Sequence, residues 1–336
     1  MKKFKKVAAF AMAAMMALSM TACGGSKDAG NAGNAGGTEN GSDAAKTYTV
    51  GVCQLIEHPA LDAATQGFQD ALKEKLGDSV SFDVQVAGGD SSTCSPITNT
   101  FAANQYDLIM ANGTAALQSA ASSTADIPIL GTSITHYGTA LDITDWTGAT
   151  GTNISGTSDL APLDGQAACM KELFPDAKKV GILYCSAEAN SQYQADVISV
   201  ELQKLGYETE VFTFTDSNDI AQVTQSACDN SDVIYVPTDN IVANCAEAIN
   251  NVALPAGTPI FAGESGICSG CGVATLSIDY YNLGYVTGEM AYDILVNGAD
   301  PATMEIKFAS DPTKMYNSTN ASELGITIPE DYKVIE

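Results

Sequence analysis

The sequence of 336 residues contains no arginine, so its 15 basic residues are all lysines, set against 40 acidic residues. A site for an anionic group in this chain therefore has no guanidinium fork with which to bind it. The formal net charge of −25 repels phosphate backbones and anionic headgroups. This charge argues against nucleic-acid binding and against membrane attachment through a basic patch.

Catalytic and metal-binding patterns are scarce. The only histidines are His58 and His136, and neither belongs to an H-E-x-x-H sequence. The sequence has no P-loop, no G-x-G-x-x-G after a strand and no G-x-S-x-G. The close pair Cys268 and Cys271 lacks a second cysteine pair or a nearby histidine, so it is a poor zinc site, although it could form a loop disulfide. We expect no metal, no cofactor and no enzyme activity.

The N-terminus has the features of an export signal. Four lysines precede an apolar run at 7–20, which is shorter than the ~20 residues of a membrane-spanning helix. The run ends in small residues before Cys23, a pattern that resembles the lipobox of bacterial lipoproteins. We therefore predict a signal peptide at 1–22, lipidation of Cys23 and a flexible Gly/Ala/Asn-rich linker over 23–46. These features predict an extracytoplasmic protein that a lipid anchors to the cell membrane.

Short apolar strands alternate with amphipathic helices from residue 48 onward. The first series predicts strands at 48–54, 80–87, 107–111 and 127–131, with helices at 59–76, 95–104 and 114–122.

A second series begins with KVGILYC, which repeats the pattern of TVGVC in the first strand. Alternating strands and helices predict parallel sheets that are covered on both faces. The fold class is therefore α/β, with two doubly wound parallel-sheet lobes joined by a hinge. The second series predicts strands at 179–185, 208–214, 232–237, 260–262 and 274–278, with helices at 190–205, 219–228 and 240–252.

Ligands of doubly wound sheets bind at the carboxyl ends of the strands. The residues that follow the strands here are mostly hydroxyls, amides and a few carboxylates at the starts of helices. Helix N-termini bind anionic groups without a basic side chain, which suits a chain without arginine. Asp239 and Asn240 are also preferred helix caps, so a purely structural role remains open for them.

Six segments resemble one family of ABC-transporter substrate-binding lipoproteins, which includes proteins that bind tryptophan and other aromatic amino acids. The segments are GVCQLIEHPALD at 51–62, NISGTSD at 153–159, ILYCSAEANS at 182–191, YVPTDN at 235–240, SIDYYNLG at 277–284 and ELGITIP at 323–329.

The resemblance implies a periplasmic-binding-protein fold of type I, with hinge crossings near 156–159 and 279–281. The first lobe would comprise 47–157 and 280–305, and the second lobe 158–279 and 306–336. Carried over by position, the ligand site would comprise Gln54, Leu55, His58, Thr114, Ala115, Ser133, Thr135, Ser158, Ser186, Ser191, Asp239, Asn240, Glu264 and Asp279.

The function that the resemblance implies is capture of a small molecule, an aromatic or branched amino acid, by a monomer that delivers it to ABC permease subunits. Asp279, with Asp239 or Glu264, would accept the ligand ammonium, while Thr114, Ala115 and Ser186 would hold its carboxylate. Two alternatives remain open. One is a surface lipoprotein that senses ligand for a receptor, and the other is a secreted hydrolase that uses His58 or His136.

Overall fold

The structure is a computed structural model that describes residues 46–308 and 311–335. The predicted signal peptide, the lipidation site Cys23 and all but the last residue of the predicted linker lie outside the described residues. Within the described part of the chain, no helix combines the length and apolarity needed to cross a bilayer.

The first half of the described chain alternates strands and helices. In chain order its elements are β1 (Tyr48–Gln54), α1 (Pro59–Leu76), β2 (Val80–Val86), α2 (Ser91–Ala103), β3 (Leu108–Asn112), α3 (Thr114–Ser123), β4 (Ile129–Ile134), α4 (Tyr137–Ala140) and β5 (Ile154–Ser158).

The second half repeats this alternation and ends in short strands. Its elements are α5 (Leu163–Leu173), β6 (Lys179–Cys185), α6 (Ala189–Lys204), β7 (Glu208–Phe214), α7 (Ile220–Asn230), β8 (Val233–Val236), α8 (Asn240–Ala256), β9 (Ile260–Ala262), α9 (Ser265–Cys271), β10 (Ala274–Ser277), α10 (Tyr280–Leu295), β11 (Lys307–Phe308), β12 (Thr313–Tyr316), α11 (Ser318–Glu323) and β13 (Lys333–Val334).

Two sheets form the two lobes. The first has the strand order β11-β5-β4-β3-β1-β2, and all of its neighbouring strands are parallel. The second has the order β13-β12-β10-β9-β8-β6-β7, and its β10–β12 pair is antiparallel. The predicted α/β class with two parallel-dominated sheets is thus confirmed, with one antiparallel pair that the strand–helix alternation did not reveal.

Helices cover both faces of each sheet because the central strands are apolar on both sides. In the first lobe, α1 and α10 pack on the face that carries Val50 and Val52, while α2 and α3 pack on the face that carries Cys53 and Ile109. In the second lobe, α5 and α6 cover one face, and α7, α8 and α9 cover the other. This arrangement leaves the carboxyl ends of the strands free to line a site between the lobes.

The chain passes between the sheets three times: between β5 and α5, between β10 and α10, and between β11 and β12. Ser158 still pairs within the first sheet, and Lys307 and Phe308 pair there with Thr157 and Ser158. The first sheet therefore extends beyond the predicted lobe limits of 157 and 305.

Helices α1 and α10 approach each other closely through three glycines. A Cβ added to Gly284 would lie 1.9 Å from the carbonyl oxygen of Ala64, and one added to Gly67 would lie 2.1 Å from that of Tyr281. At Gly288 the corresponding distance, to the carbonyl oxygen of Phe68, is 2.6 Å. Only glycine permits this spacing, which ties α10 to the first lobe directly after the chain leaves the second sheet.

The cysteine pair expected in a loop lies in helix α9. Cys268 and Cys271 are buried in the core of the second lobe and are free thiols. The structure thus shows neither a loop nor a disulfide at this position.

Candidate functional site

A small enclosed cavity lies between the two lobes. Only about 10 Å³ of it admits the centre of a water molecule, which is about the room that one ordered water needs. A guest of amino-acid size therefore enters only when the lobes separate, and the occupied cavity has to be wider than this one. The cavity is lined by His58, Ala60, Leu61, Ser133, Asp159, Asn190, Thr238, Asp239, Asn240, Ala243, Glu264, Ile267 and Tyr280.

Three contacts between side chains hold the lobes together around the cavity. His58 Nε2 lies 3.1 Å from Asn240 Oδ1. Gln194 Nε2 of α6 donates to Thr135 Oγ1 at 3.0 Å. The rings of His136 and Tyr193 stack with centroids 4.5 Å apart. The structure is therefore a closed form.

Asp159 carries the carboxylate that is most available to a guest. It directly follows β5 at the first crossing and is 5% exposed. Its oxygens accept hydrogen bonds from Thr135 Oγ1 at 3.2 Å and from Tyr280 OH at 3.1 Å. Burial raises the pKa of Asp159 to about 6, while these hydroxyls oppose the rise. A carboxylate can accept about four hydrogen bonds, so lone pairs remain for a cationic group.

The other cavity carboxylates are occupied by the backbone. Asp239 caps α8 through Val242 N at 2.8 Å and also accepts from Cys185 N and Ser191 Oγ, each at 2.8 Å. Glu264 caps α9 through the N–H groups of Gly266 and Ile267. Burial raises the pKa of Glu264 to about 7, and the two N–H groups oppose the rise. These carboxylates act mainly as helix caps.

A buried glutamate fixes the orientation of Asn240 and through it that of His58. The Glu188 carboxylate accepts from Asn240 Nδ2 at 2.7 Å, so the amide oxygen of Asn240 faces His58. His58 Nε2 then donates to that oxygen. Burial lowers the pKa of His58, and the hydrogen bond to Asn240 opposes the shift. Neutral His58 is thereby left with an acceptor at Nδ1, which is buried and has no partner in the described structure.

Ser133 has the second unpartnered polar atom of the cavity lining. Its Oγ is buried without a hydrogen bond, and its backbone has a φ of 55° where the β4–β5 register shifts. Non-glycine residues in this conformation are strained, and such strain concentrates at functional sites. The hydroxyl is free to bond a guest.

Among the residues predicted for the site, His58, Ser133, Asp239, Asn240 and Glu264 line the cavity. The other nine predicted residues do not line the cavity: Gln54, Leu55, Thr114, Ala115, Thr135, Ser158, Ser186, Ser191 and Asp279. Of these, Thr135 bonds the cavity residue Asp159.

Several of these nine are engaged in folding. Gln54 bonds Asp62 and Thr65 beneath α1, and Leu55 lies in the core of the first lobe. Ser158 Oγ donates to the carbonyl of Thr135, which holds the hinge segment in place.

Three more of the predicted residues lie near the starts of helices. Thr114 and Ala115 begin α3, while Ser191, in the first turn of α6, donates its hydroxyl to the cavity residue Asp239. Ser186 is exposed and donates to the carbonyl of Phe214, which directs it away from the lining. Thr114, Ala115 and Ser186 are thus not placed to hold a carboxylate in this cavity.

Asp279 is likewise displaced from its predicted role. It is exposed, caps α10 by accepting from Asn282 N at 3.0 Å, and lies in an open groove beside the cavity. The side chain that enters the cavity from this crossing is that of the next residue, Tyr280, whose hydroxyl reaches Asp159. The aspartate that lines the cavity near this crossing is therefore Asp159, and Asp279 does not line it.

The sequence analysis did not predict Asp159, Asn190, Thr238 and Tyr280, which line the cavity. A signal for Asp159 was present, since it ends the NISGTSD segment and follows a strand. That strand, β5, contains Gly156 and three hydroxyl residues, so it did not read as an apolar strand. Had β5 been recognised as a strand, the expectation that ligands bind at the carboxyl ends of strands would have selected Asp159.

Comparison with known proteins places this chain in a family. Residues 49–335 match the model of the family described as ABC transporter substrate binding protein. A curated relative, a tyrosine-binding protein of Clostridioides difficile strain R20291, is 35% identical over 299 residues, covering 88% of this chain and 85% of the relative.

Two solved structures have similar folds. The ABC domain from Streptococcus pneumoniae in complex with L-Trp has a TM-score of 0.82 at 32% identity, covering 86% of this chain and 100% of that chain. The ligand-free, open structure of a substrate-binding protein with adhesive properties from Clostridium difficile has a TM-score of 0.68 at 35% identity, covering 86% and 99%. The closed form described above thus resembles the complex more closely than the open structure.

The family match spans nearly the whole described chain, and the two-lobed fold with an interlobe cavity agrees with it. This chain belongs to the family of ABC transporter substrate-binding proteins.

Proposed function

We propose that this protein captures a zwitterionic amino acid with an aromatic side chain in its interlobe cavity and delivers it to ABC permease subunits. The observation that carries the proposal is the buried carboxylate of Asp159, which has hydroxyl partners but no cationic partner among the described residues. Buried charges are normally paired, and the ammonium of a guest would complete this one.

The rest of the cavity suits the remaining parts of such a guest. Ser133 Oγ supplies a free hydroxyl for the carboxylate, and His58 Nδ1 supplies an acceptor for a second donor. Leu61, Ala243 and Ile267 offer apolar surface to the side chain. The tyrosine-binding and tryptophan-bound relatives support an aromatic ligand.

A thermal-shift screen of the 20 common amino acids tests the proposal. L-tryptophan and L-tyrosine should raise the melting temperature, because a ligand at 100 times its Kd stabilises the folded state by about 2.7 kcal/mol. Tryptamine and tyramine, which lack the carboxylate, should stabilise much less. If no amino acid shifted the transition, or if the amines matched the amino acids, the proposed ligand class would be wrong.

Replacing Ser133 by alanine should weaken binding of the same amino acids by roughly fivefold to tenfold, the effect of one hydrogen bond of about 1 kcal/mol. The unfolding free energy without ligand should not fall, because this hydroxyl has no partner to lose. Titration calorimetry and urea denaturation measure the two effects.

Ser231→Ala is the matched control. Ser231 Oγ also lacks a partner but lies beside Gly181, away from the cavity. Its replacement should leave the affinity unchanged. Equal affinities of the Ser133→Ala variant and the unmodified protein would remove Ser133 from the site.

Anchoring to the membrane through Cys23 remains part of the proposal, and mass spectrometry of the native N-terminus tests it.

Delivery to a permease and sensing for a receptor would use the same cavity. Loss of labelled tryptophan uptake in cells without this chain would favour transport.

Hydrolysis is not proposed, because His136 bonds Thr139 outside the cavity and His58 is held by Asn240 rather than by a serine nucleophile.

A further inference from the structure

Gln194 reaches across the cleft without lining the cavity. It belongs to α6 of the second lobe, is 2% exposed and donates from Nε2 to Thr135 Oγ1 of the first lobe at 3.0 Å. The orientation of its amide is set by Thr238, whose backbone N–H donates to Oε1 at 3.2 Å. Because a backbone N–H can only donate, the amide oxygen must face the N–H of Thr238, and the nitrogen is left to donate to Thr135 Oγ1 and to the hydroxyl of Thr238.

The contact from Gln194 supports the polarity of the next hydrogen bond, in which the Asp159 carboxylate can only accept and Thr135 must donate. A threonine hydroxyl has a single proton, and when Oγ1 accepts from Gln194 that proton is free to point to Asp159 Oδ1, 3.2 Å away. The Thr135 backbone is held by Ser158 Oγ, which donates to its carbonyl at 2.9 Å. Four groups therefore form one chain of hydrogen bonds in which each group donates to the next or orients it, from Thr238 through Gln194 and Thr135 to the carboxylate of Asp159.

We propose that Gln194 is a positioning residue that couples closure of the lobes to retention of the ligand ammonium, by directing the Thr135 hydroxyl onto Asp159. The proposal rests on the proposed function, since it needs an amino acid bound at Asp159. It goes beyond the proposed function, because Gln194 itself does not contact the ligand.

The coupling works because this chain of hydrogen bonds is complete only in the closed form. When the lobes separate, Thr135 loses its donor from the second lobe, and its hydroxyl can rotate or bond water. In the closed form the hydroxyl is committed to Asp159, and hydrogen bonds to a charged acceptor are stronger than neutral ones. A ligand ammonium on Asp159 and the contact between Gln194 and Thr135 therefore favour each other, as linkage requires.

Stopped-flow fluorescence with L-tryptophan and L-tyrosine tests the coupling. Gln194→Met keeps the approximate volume and removes the amide, and Thr135→Val removes the hydroxyl while keeping the shape. Each should raise the dissociation rate constant by roughly tenfold, while the association rate constant changes by less than about twofold. The double variant should release the ligand at nearly the rate of either single variant, because both substitutions break the same chain of hydrogen bonds.

A pH profile separates this role from a merely structural one. The carboxylate of Asp159 is less stabilised when the Thr135 hydroxyl is absent, as in Thr135→Val, or no longer oriented by Gln194, as in Gln194→Met. The loss of affinity on acidification should therefore begin at higher pH in both variants. The other titratable groups near this carboxylate or on the same cavity lining are Tyr280, Tyr137, Glu264, Asp239 and His58. All five are unchanged by the substitutions.

Three further variants complete the experiment. Gln203→Met alters an exposed glutamine of the same helix and should behave as the unmodified protein. Thr135→Ser keeps the hydroxyl and should restore slow dissociation. Gln194→Glu keeps the acceptor for Thr238 but loses the donor, so it should accelerate dissociation even if Gln194→Met folds poorly.

Unchanged dissociation in Gln194→Met and Gln194→Glu, or additive effects in the double variant, would overturn the coupling while leaving the proposed function intact. An unmodified protein that binds neither amino acid would overturn the proposed function, and the coupling with it.

Discussion

Asp159→Asn should lower the affinity for L-tryptophan and L-tyrosine at least about a hundredfold, because it leaves the ligand ammonium buried without a counter-charge. Removing one partner of a buried ion pair costs roughly 3–5 kcal/mol, which is more than two orders of magnitude in Kd. The asparagine keeps the shape and can still bond Thr135 and Tyr280, so the charge is the main property that changes. Titration calorimetry at pH 7.5 measures the loss.

The stability of the ligand-free variant separates lost binding from damage to the fold. A buried carboxylate without a counter-ion is costly, so Asp159→Asn should unfold at the same or a higher temperature than the unmodified protein. Asp279→Asn is the matched control, since this exposed carboxylate caps α10 and asparagine caps helices equally well. Near-normal affinity of the Asp159→Asn variant would remove Asp159 from the ammonium site, and a large loss in the Asp279→Asn variant would place that site at Asp279, as the sequence first suggested.

Because of the Asp159 carboxylate, ligand affinity and folding stability should respond to pH in opposite directions. The pKa of Asp159 is raised to about 6 by burial, and that of Glu264 to about 7. A group with a raised folded-state pKa binds protons more readily in the folded state, so its contribution to stability grows as pH falls from about 7 towards 4. Ligand affinity should instead fall below about pH 6, as Asp159 loses its charge. His58 opposes the stability trend, because its lowered pKa favours proton uptake by the unfolded chain below about pH 6.5.

Most of the fold was predictable because its patterns are local and strong. The sequence predicted the bounds of β1, α1, β6, β7 and β9 as the structure has them. In α1 the apolar stripe, a proline at the start and a glycine just after the end all agree. The antiparallel β10–β12 pair and the pairing of β11 with β5 are contacts between distant segments. No local pattern encodes them.

The site was harder to predict, because sequence shows which polar groups meet at strand ends but not which ones folding has already used. Asp239, Glu264 and Gln54 were sensible candidates by position. The structure shows their oxygens engaged by backbone N–H groups or by neighbouring side chains. Asp159 differs because its partners are two hydroxyls, which leaves it able to accept a cation. This distinction depends on tertiary contacts alone.

Gly284→Ala should destabilise the protein by about 3 kcal/mol or more, because the added methyl group has no space. Its Cβ would lie 1.9 Å from the carbonyl oxygen and 2.6 Å from the carbonyl carbon of Ala64. Both belong to the backbone of α1, so relief requires the helices to separate rather than a side chain to rotate. Overpacking of this kind typically costs 1–3 kcal/mol, and a clash between two backbones belongs at or above the upper end. Urea denaturation of the ligand-free protein measures the change.

Gly165→Ala is the matched control for this effect. Gly165 is also helical, but a Cβ there would meet the Cδ2 methyl group of Leu276 at 3.0 Å, and a flexible side-chain end can move aside. The gain in helix propensity of up to about 1 kcal/mol offsets that adjustment, so this variant should be nearly neutral. Because α10 starts with Tyr280, a partner of Asp159, a displaced α10 should also weaken ligand binding in Gly284→Ala. Equal stability of the two variants would show that the α1–α10 contact is looser than its glycines indicate.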